Sequence, residues 1–343
     1  MKTLPLCFLI AGMSLLTNSC KDDPELPDVS LGSSMTLNGG HGGINAVNSV
    51  FIDFSNNIQS PVSRTTWDLG FYNGNEFRVI LNNTVAASAV ATAKTNLSQV
   101  TAQDTVGLDL IVAATPESLP LVDDVSGDLT KTVIAAISPI ETDNKVYIVN
   151  RGTGGGVASR PWKKIRIIRS GSEYILQYAD IDATSYKSLV IRKNKEHNFS
   201  YASFDYGLIS IEPDKDDWDI EWTGAVSKTI SGEKEIPHYF ADQVYINWLG
   251  GVSAAEVLTS TVSYDNISSS NLNTILFLGE RNVIGTNWRE TGGREGGTAG
   301  VKTDRFYVIR DAHGNAYKLK FNNFTDQDGG TRGYPQITYA LIN

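Results

Sequence analysis

Hydrophobic residues recur at every second position along much of the chain, which is the period of a half-buried β-strand. The alternation is clearest at 164–167 and 317–321. These and similar runs are rich in β-branched and aromatic residues, which favour strands. The pattern therefore predicts an all-β fold of antiparallel strands that each have one solvent-facing side.

Short polar segments separate these runs, and helical periodicity is scarce. Segments 169–172 and 311–315 lie between strand runs and are typical of hairpin turns. We expect short helical turns at 117–124 and 253–258. The alanine-rich stretch 85–93 fits neither pattern well, because it also holds several Val and Thr residues.

The strand pattern repeats once along the chain. The echoes come in the same order, at offsets between 141 and 151 residues: 51–54 with 201–204, 67–69 with 218–220, 167–169 with 308–310, and Tyr174 and Leu176 with Tyr317 and Leu319. This predicts two related antiparallel β modules, 45–195 and 196–343, with little helix.

The N-terminus reads as an export signal. Lys2 precedes an apolar stretch, 6–16, that is too short to span a bilayer, and small polar residues follow directly before Cys20. Residues 1–19 resemble a bacterial lipoprotein signal peptide, with Cys20 as the lipidated residue; an ordinary secretory signal is the alternative. Residues 20–44 contain two prolines and many polar residues, and we interpret them as a lipidated tether.

Composition excludes several classes of function. The 343 residues include 29 Lys and Arg against 38 Asp and Glu, a net charge of −9, which argues against nucleic-acid binding. Cys7 and Cys20 are the two cysteines, so the rest of the chain holds no disulfide framework, zinc ribbon or cysteine nucleophile. The serine-hydrolase and zinc-protease motifs are absent, and we predict that the protein is not an enzyme. A hydrolase that uses a pair of carboxylates stays open, because such a pair is not visible in sequence.

The order of the aromatic motifs resembles the HmuY family. The resemblance rests on Phe51 and Phe54, on 67–71 with Trp67-Asp68, and on the late hairpin 305–310 and 314–321. It implies an all-β, haem-binding lipoprotein of Bacteroidetes on the outer membrane, facing the cell surface. Such a protein would capture haem or a related porphyrin and pass it to an outer-membrane uptake system such as a TonB-dependent receptor.

Haem binding requires one or two axial ligands beside an apolar surface. His238 is the best candidate, because it follows the second Trp-Asp strand and a segment, 224–237, that has no counterpart in the first module. Tyr239 is a second candidate ligand, and Tyr245 lies near both in sequence. The remaining histidines are interpreted as exposed turn or linker residues: His41, His197 and His313.

The glycine-rich segment 281–303 predicts a long functional loop, because loops of this length in β domains often carry binding residues. Its arginines could pair with carboxylates such as haem propionates, and Trp288 could form a flat wall against a ring. The three arginines are Arg281, Arg289 and Arg294. The alternative is a solvated, mobile surface loop.

Two other functions remain open. A surface or accessory lipoprotein could bind another ligand without catalysis, which the scarcity of His and Met favours: four and three residues, respectively. An adhesive or structural surface protein is the other alternative, and it predicts no concave apolar pocket in the second module.

Overall fold

The computed structural model describes residues 29–291, 299–325 and 330–343. Antiparallel strands dominate this part of the chain, and its one α-helix is the four-residue Ser269–Leu272. Short 3-10 turns lie in the connections: Gly43–Asn45, Asn83–Val85, Leu97–Gln99, Ala102–Thr105, Pro116–Leu121, Leu129–Lys131, Glu141–Asp143, Gly154–Gly156 and Trp248–Gly250. The expectation of an all-β fold with little helix is confirmed.

The strands of the described residues are, in chain order, β1 (Gly32–Thr36), β2 (Asn48–Asp53), β3 (Ile58–Ser63), β4 (Leu69–Tyr72), β5 (Val79–Leu81), β6 (Ser88–Ala91), β7 (Val146–Asn150), β8 (Lys163–Ser170), β9 (Glu173–Asp180), β10 (Lys187–Ile191), β11 (Phe199–Ser203), β12 (Gly207–Ile209), β13 (Ile220–Ser231), β14 (Lys234–Ile246), β15 (Ser253–Leu258), β16 (Arg289–Thr291), β17 (Ala299–Val301), β18 (Arg305–Arg310), β19 (Ala316–Thr325) and β20 (Arg332–Leu341).

Four sheets contain most of these strands. Sheet I has the order β1-β20-β19-β18-β15, and sheet II has the order β14-β13-β2-β3. Sheet III has the order β12-β11-β4-β5, and sheet IV has the order β10-β9-β8-β7-β6. β16 and β17 form a separate two-stranded ribbon.

The sheets stack in the order I, II, III, IV, with a hydrophobic core between each neighbouring pair. Phe54 beside sheet II packs on Tyr317 of sheet I, with ring centroids 5.7 Å apart. Phe71 of sheet III packs edge-on against Tyr174 of sheet IV at 5.2 Å. The cluster between sheets II and III consists of Phe51, Trp67, Phe199, Tyr201, Ile211 and Trp218. Burial of these aromatic side chains provides the main driving force for stacking.

Each inner sheet contains strands from both predicted modules. In sheet II, β13 pairs with β2, so that Trp222 lies opposite Val50. In sheet III, β11 pairs with β4, so that Tyr201 lies opposite Gly70. The predicted boundary at 195/196 therefore separates strands that share two sheets, and the two segments interlock.

The interlocking contacts match in detail. The backbone N–H of Phe54 donates to Asp219 Oδ2 at 2.7 Å, and that of Phe204 donates to Asp68 Oδ2 at 2.8 Å. In both cases the aspartate belongs to a Trp-Asp motif and the phenylalanine follows the first strand of the other segment. We propose from these contacts that the two segments are repeats that have exchanged strands between the inner sheets.

Two sequence predictions about local structure need correction. Segment 253–258 was expected to form a helical turn, but it is strand β15, whose Ala255 lies opposite Val308 in β18. Alanine has a high helix propensity, but propensity is a weak determinant and pairing in the sheet overrides it. Segment 281–303 is not one continuous loop, because it contains β16 and β17. The turn expected at 117–124 is present in part, as Pro116–Leu121.

Part of the predicted tether forms a strand. The stretch predicted as a tether contributes β1, and Leu37 directly after it is fully buried. The predicted signal peptide, 1–19, and Cys20 lie outside the described residues. Within the described part of the chain, no helix has the length and apolar character needed to cross a membrane.

Candidate functional site

A long hairpin extends beyond the body of sheet II. β13 pairs with β14 over nearly its whole length, down to Ser231 opposite Lys234, whereas β2 pairs only with Ile220–Trp222. A bulge between Thr223 and Ala225 marks the point where β13 leaves β2. Residues 225–240, which we call the arm, therefore include most of the segment 224–237, which has no counterpart in the first half of the sequence.

His238 lies on the arm and is exposed. It is opposite Ser227 within the strand pair, and its ring lies 4.8 Å from that of Phe240 in an edge-on arrangement. Alternate residues of a strand point to the same side, so His238 and Phe240 share one face of β14 and Tyr239 takes the other. The imidazole is thus accessible to a ligand from solution.

Tyr239 points into the protein. Its hydroxyl accepts a hydrogen bond from Arg64 Nη1 at 2.7 Å and donates to the Thr84 carbonyl at 3.2 Å. Burial raises the pKa of Tyr239 to about 12, so the phenol stays protonated at neutral pH. The structure does not bring Tyr239 and His238 to one site, because neighbouring strand residues face opposite ways.

Tyr245 and Arg281 meet at a small cavity between sheets II and III. The Arg281 guanidinium lies 4.3 Å from the Tyr245 ring centroid and donates from Nη2 to the Val125 carbonyl at 3.2 Å. The Tyr245 hydroxyl accepts from Asn83 Nδ2 at 3.2 Å. The cavity volume is about 40 Å³, which is room for a few water molecules and not for a porphyrin.

Two acidic residues that the sequence analysis did not single out line the same cavity. Glu212 accepts a hydrogen bond from the Phe199 N–H at 2.6 Å, and burial raises its pKa to about 8. Burial also raises the pKa of Glu221, and the charge of Arg281 acts in the opposite direction. In the sequence, Glu212 and Glu221 alternate with apolar residues, as solvent-facing strand residues do. The sequence therefore carried no signal for this buried acidic cluster.

Trp288 belongs to the core between sheets I and II. It is 1% exposed, its ring is stacked on Phe321 with centroids 4.1 Å apart, and its Nε1 donates to the Asp242 carbonyl at 3.0 Å. Arg289 is also buried, with Nε 3.5 Å from Asp242 Oδ2. Trp288 and Arg289 therefore pack inside the protein, against Phe321 and Asp242 respectively. The expected exposed wall at Trp288 is not present. Arg294 lies outside the described residues.

The remaining histidines are not part of the arm. His197 Nε2 is 3.2 Å from Asp214 Oδ1, and its Nδ1 is 3.0 Å from Asn194 Nδ2. His41 and His313 are exposed. Among the residues that the structure describes, no three His, Cys, Asp or Glu side chains cluster in a way that could hold a metal ion.

A groove of about 500 Å³ lies where the edges of sheets III and IV approach each other. We call it the β10 groove. Its lining residues are Val190, Arg192, Asn194, His197, Phe199, Ser200, Tyr201, Leu208, Ile209, Ser210 and Ile211. None of the haem-site candidates from the sequence lines it.

Comparison with known proteins identifies the family. The HmuY protein family model matches residues 45–339, which runs from just before β2 almost to the end of β20. This chain belongs to the HmuY family. A search among curated proteins finds no match.

Three solved structures related to this HmuY-family chain share little sequence with it. The apo HmuY analog of Tannerella forsythia is 9% identical, with a TM-score of 0.25 and coverage of 92% of this chain and 99% of that one. An HmuY-like heme binding protein of Bacteroides vulgatus is 10% identical, with a TM-score of 0.20 and coverage of 90% and 91%. Apo PinO of Porphyromonas gingivitis is 15% identical, with a TM-score of 0.18 and coverage of 54% and 99%.

Proposed function

We propose that this protein binds haem or a related porphyrin at the cell surface and passes it to an outer-membrane uptake system. The observation that carries the proposal is the HmuY family match over residues 45–339. The name of the Bacteroides vulgatus structure, a heme binding protein, points to the same ligand.

The arm provides the group that haem iron requires. A single histidine suffices as a proximal axial ligand, and His238 presents an exposed imidazole with Phe240 beside it. Ile230 near the tip is 74% exposed, but it pairs with Glu235 and therefore lies on the Tyr239 face, away from His238. Lys234 is also exposed and is available for a propionate. Tyr239 keeps its bonds to Arg64 and Thr84 and supplies packing below the arm.

The rest of the proposal concerns location and partners. A lipid on Cys20 would anchor the protein in the outer membrane, and the segment before β1 would lift the sheets away from it. A TonB-dependent receptor is the partner that would take up the released haem. Capture and hand-over need no bond making on the ring, so the protein acts without catalysis.

Haemin titration followed by absorbance tests the proposal. We expect a saturable Soret shift, and we expect His238→Ala to weaken binding at least tenfold because it removes the axial ligand. His313→Ala is the matched control, since it removes an exposed histidine from a turn outside the arm. A His238→Ala protein that binds haemin with the same spectrum and affinity as the parent would refute this site.

The β10 groove favours a second candidate function, the binding of another ligand without catalysis. It offers about 500 Å³ of partly apolar space that includes no residue of the arm. If the protein purifies colourless and haemin gives no Soret shift in either redox state, the result would favour this second function over haem binding.

A further inference from the structure

Sheets I and IV end differently at matching edges. β20 pairs with β19, with Tyr339 opposite Leu319, and β10 pairs in the same way with β9, with Leu189 opposite Leu176. In sheet I a further strand, β1, covers the outer side of β20, whereas sheet IV ends at β10. Among the strands of the described residues, none pairs with the outer edge of β10, and an edge of this kind can take an additional strand.

β1 shows how the matching position is filled in sheet I. It pairs antiparallel with β20 and lies beside β3 of sheet II, where Gln59 Nε2 donates to the Thr36 carbonyl at 2.9 Å. The N–H of Leu341 donates to the Leu31 carbonyl at 3.1 Å, which continues the ladder. Ser33 and Met35 are the partly buried alternate residues of this strand. The space between sheets I and II thus accepts one extended segment.

The β10 groove is the corresponding space between sheets III and IV. β12 corresponds to β3, because Ile209 lies opposite Tyr201 and Ser60 lies opposite Phe51. Leu208 consequently occupies the position of Gln59. Leu208 is 53% exposed, and Val190, on the other side of the groove, is 46% exposed. Two large apolar side chains at an open strand edge are the surface that an added strand would cover.

We propose that the β10 groove binds an extended segment of another protein, which adds to sheet IV as a strand antiparallel to β10.

The register of β1 defines the chemistry of this segment. Met35 lies opposite Ile337 and Ser33 opposite Tyr339 in sheet I. The matching residues of β10 are Lys187 and Leu189, as judged from their partners in β9 and β19. Ile337 is buried, but Lys187 is exposed and cationic. The bound segment therefore carries an acidic residue opposite Lys187 and an apolar residue opposite Leu189, two positions away.

A segment of a different protein fits better than β1 of a second copy. In each chain β1 is already paired with β20, and Leu37 next to it is fully buried in the core between sheets I and II. Lending β1 to a neighbour would expose that side chain and the edge of β20, which would offset the gain at β10.

Two peptides test the proposal on the full chain. Both are acetylated and amidated copies of residues 31–38 with Ser33→Val; one also carries Met35→Glu and the other Met35→Lys. We expect the Glu peptide to bind about tenfold more tightly than the Lys peptide in fluorescence anisotropy, because only it pairs with Lys187. The Lys187→Glu protein should reverse this preference. Hydrogen exchange should slow at the amides of 187–191 when the Glu peptide binds.

Val190→Glu and Ile230→Glu form a matched pair, since each places a carboxylate at an exposed apolar position. We expect Val190→Glu to weaken the binding of the Glu peptide. Ile230→Glu, which is on the arm, should leave that binding unchanged. No saturable binding, equal binding of both peptides, or no protection at 187–191 would overturn the proposal. Self-association that Lys187→Glu abolishes would also overturn it, because a second copy would then be the occupant.

Discussion

At the scale of single residues, the two Trp-Asp motifs make the same backbone contacts in different electrostatic surroundings. Asp68 forms a buried ion pair with Arg151, whose Nε lies 2.8 Å from Oδ1, and Arg151 also contacts Asp205. Asp219 instead lies in a buried place near the carboxylates of Asp53 and Asp311, and burial first, then these charges, raise its pKa to about 8. The two equivalent aspartates therefore differ in charge: Asp68 is ionised in an ion pair, whereas Asp219 is protonated at neutral pH.

This difference predicts that the same substitution, Asp to Asn, affects stability differently at the two positions. Asp68→Asn leaves the Arg151 guanidinium with the half-exposed Asp205 as its ion-pair partner, and we expect it to reduce the free energy of unfolding by about 3–5 kcal/mol. Asp219→Asn keeps an oxygen for the Phe54 N–H and should not destabilise the folded protein at pH 5. Urea unfolding of both variants checks the contrast, and equal losses at pH 5 would contradict it.

The pH dependence of Asp219→Asn has a defined sign. The folded-state pKa of about 8 lies above the ordinary value of 3.8, so the folded protein binds more protons than the unfolded chain between these pH values. The stability contributed by protonated Asp219 is complete below about pH 4 and is lost as the pH rises through 8. Asp219→Asn should therefore gain stability relative to the parent from pH 5 to pH 9.

Closeness in sequence was a poor guide to which candidate residues share one site. Proximity grouped His238, Tyr239 and Tyr245, but strand alternation turns Tyr239 inward, and Tyr245 lies at the cavity between sheets II and III. Trp288 was predicted to form a flat wall in a glycine-rich loop; it does lie in a turn directly before β16, but it is buried and stacks on Phe321 from a distant strand. Long-range packing of this kind has no local signature.

At the scale of elements, regular alternation predicted the strands well. The runs at 163–170 and 173–180 are β8 and β9, joined by the expected hairpin turn. β15 was missed because Ala-Ala-Glu favours a helix locally, and its pairing with β18 overrides that preference. β1 was missed because Ser, Gly and Thr residues before the first apolar run are also typical of a tether.

The role of β1 can be tested with two leucines that flank it. Leu37 is fully buried in the core between sheets I and II, whereas Leu31 is 73% exposed. We expect Leu37→Ala to reduce the free energy of unfolding by about 2–5 kcal/mol, through lost burial and the cavity left behind. Leu31→Ala should change it by less than about 0.5 kcal/mol. Similar, small effects of both substitutions in denaturant titrations would show that this segment is only a tether.

At the scale of the whole molecule, the proposed repeat carries no sequence signal for strand exchange. Echoed motifs such as Trp67-Asp68 and Trp218-Asp219 predict similar local structure, whether their strands pair within one segment or between two. The pairing of β2 with β13 and of β4 with β11 decides this, and both are contacts between residues about 130 to 170 positions apart. Sequence periodicity describes which face of a strand is buried and not which strand lies beside it.

Strand exchange predicts that neither segment folds alone. Expressed separately, 45–195 would lack the partners of β2 and β4, and 196–343 would lack those of β11 and β13, so each would expose unpaired edges and half of the core between sheets II and III. We expect each fragment to show no cooperative thermal unfolding by circular dichroism. The two fragments mixed should recover a cooperative transition, because together they restore every inner-sheet pair. A cooperative transition in either fragment alone would mean that a segment can close its own sheet, and the exchanged pairing would then be dispensable for folding.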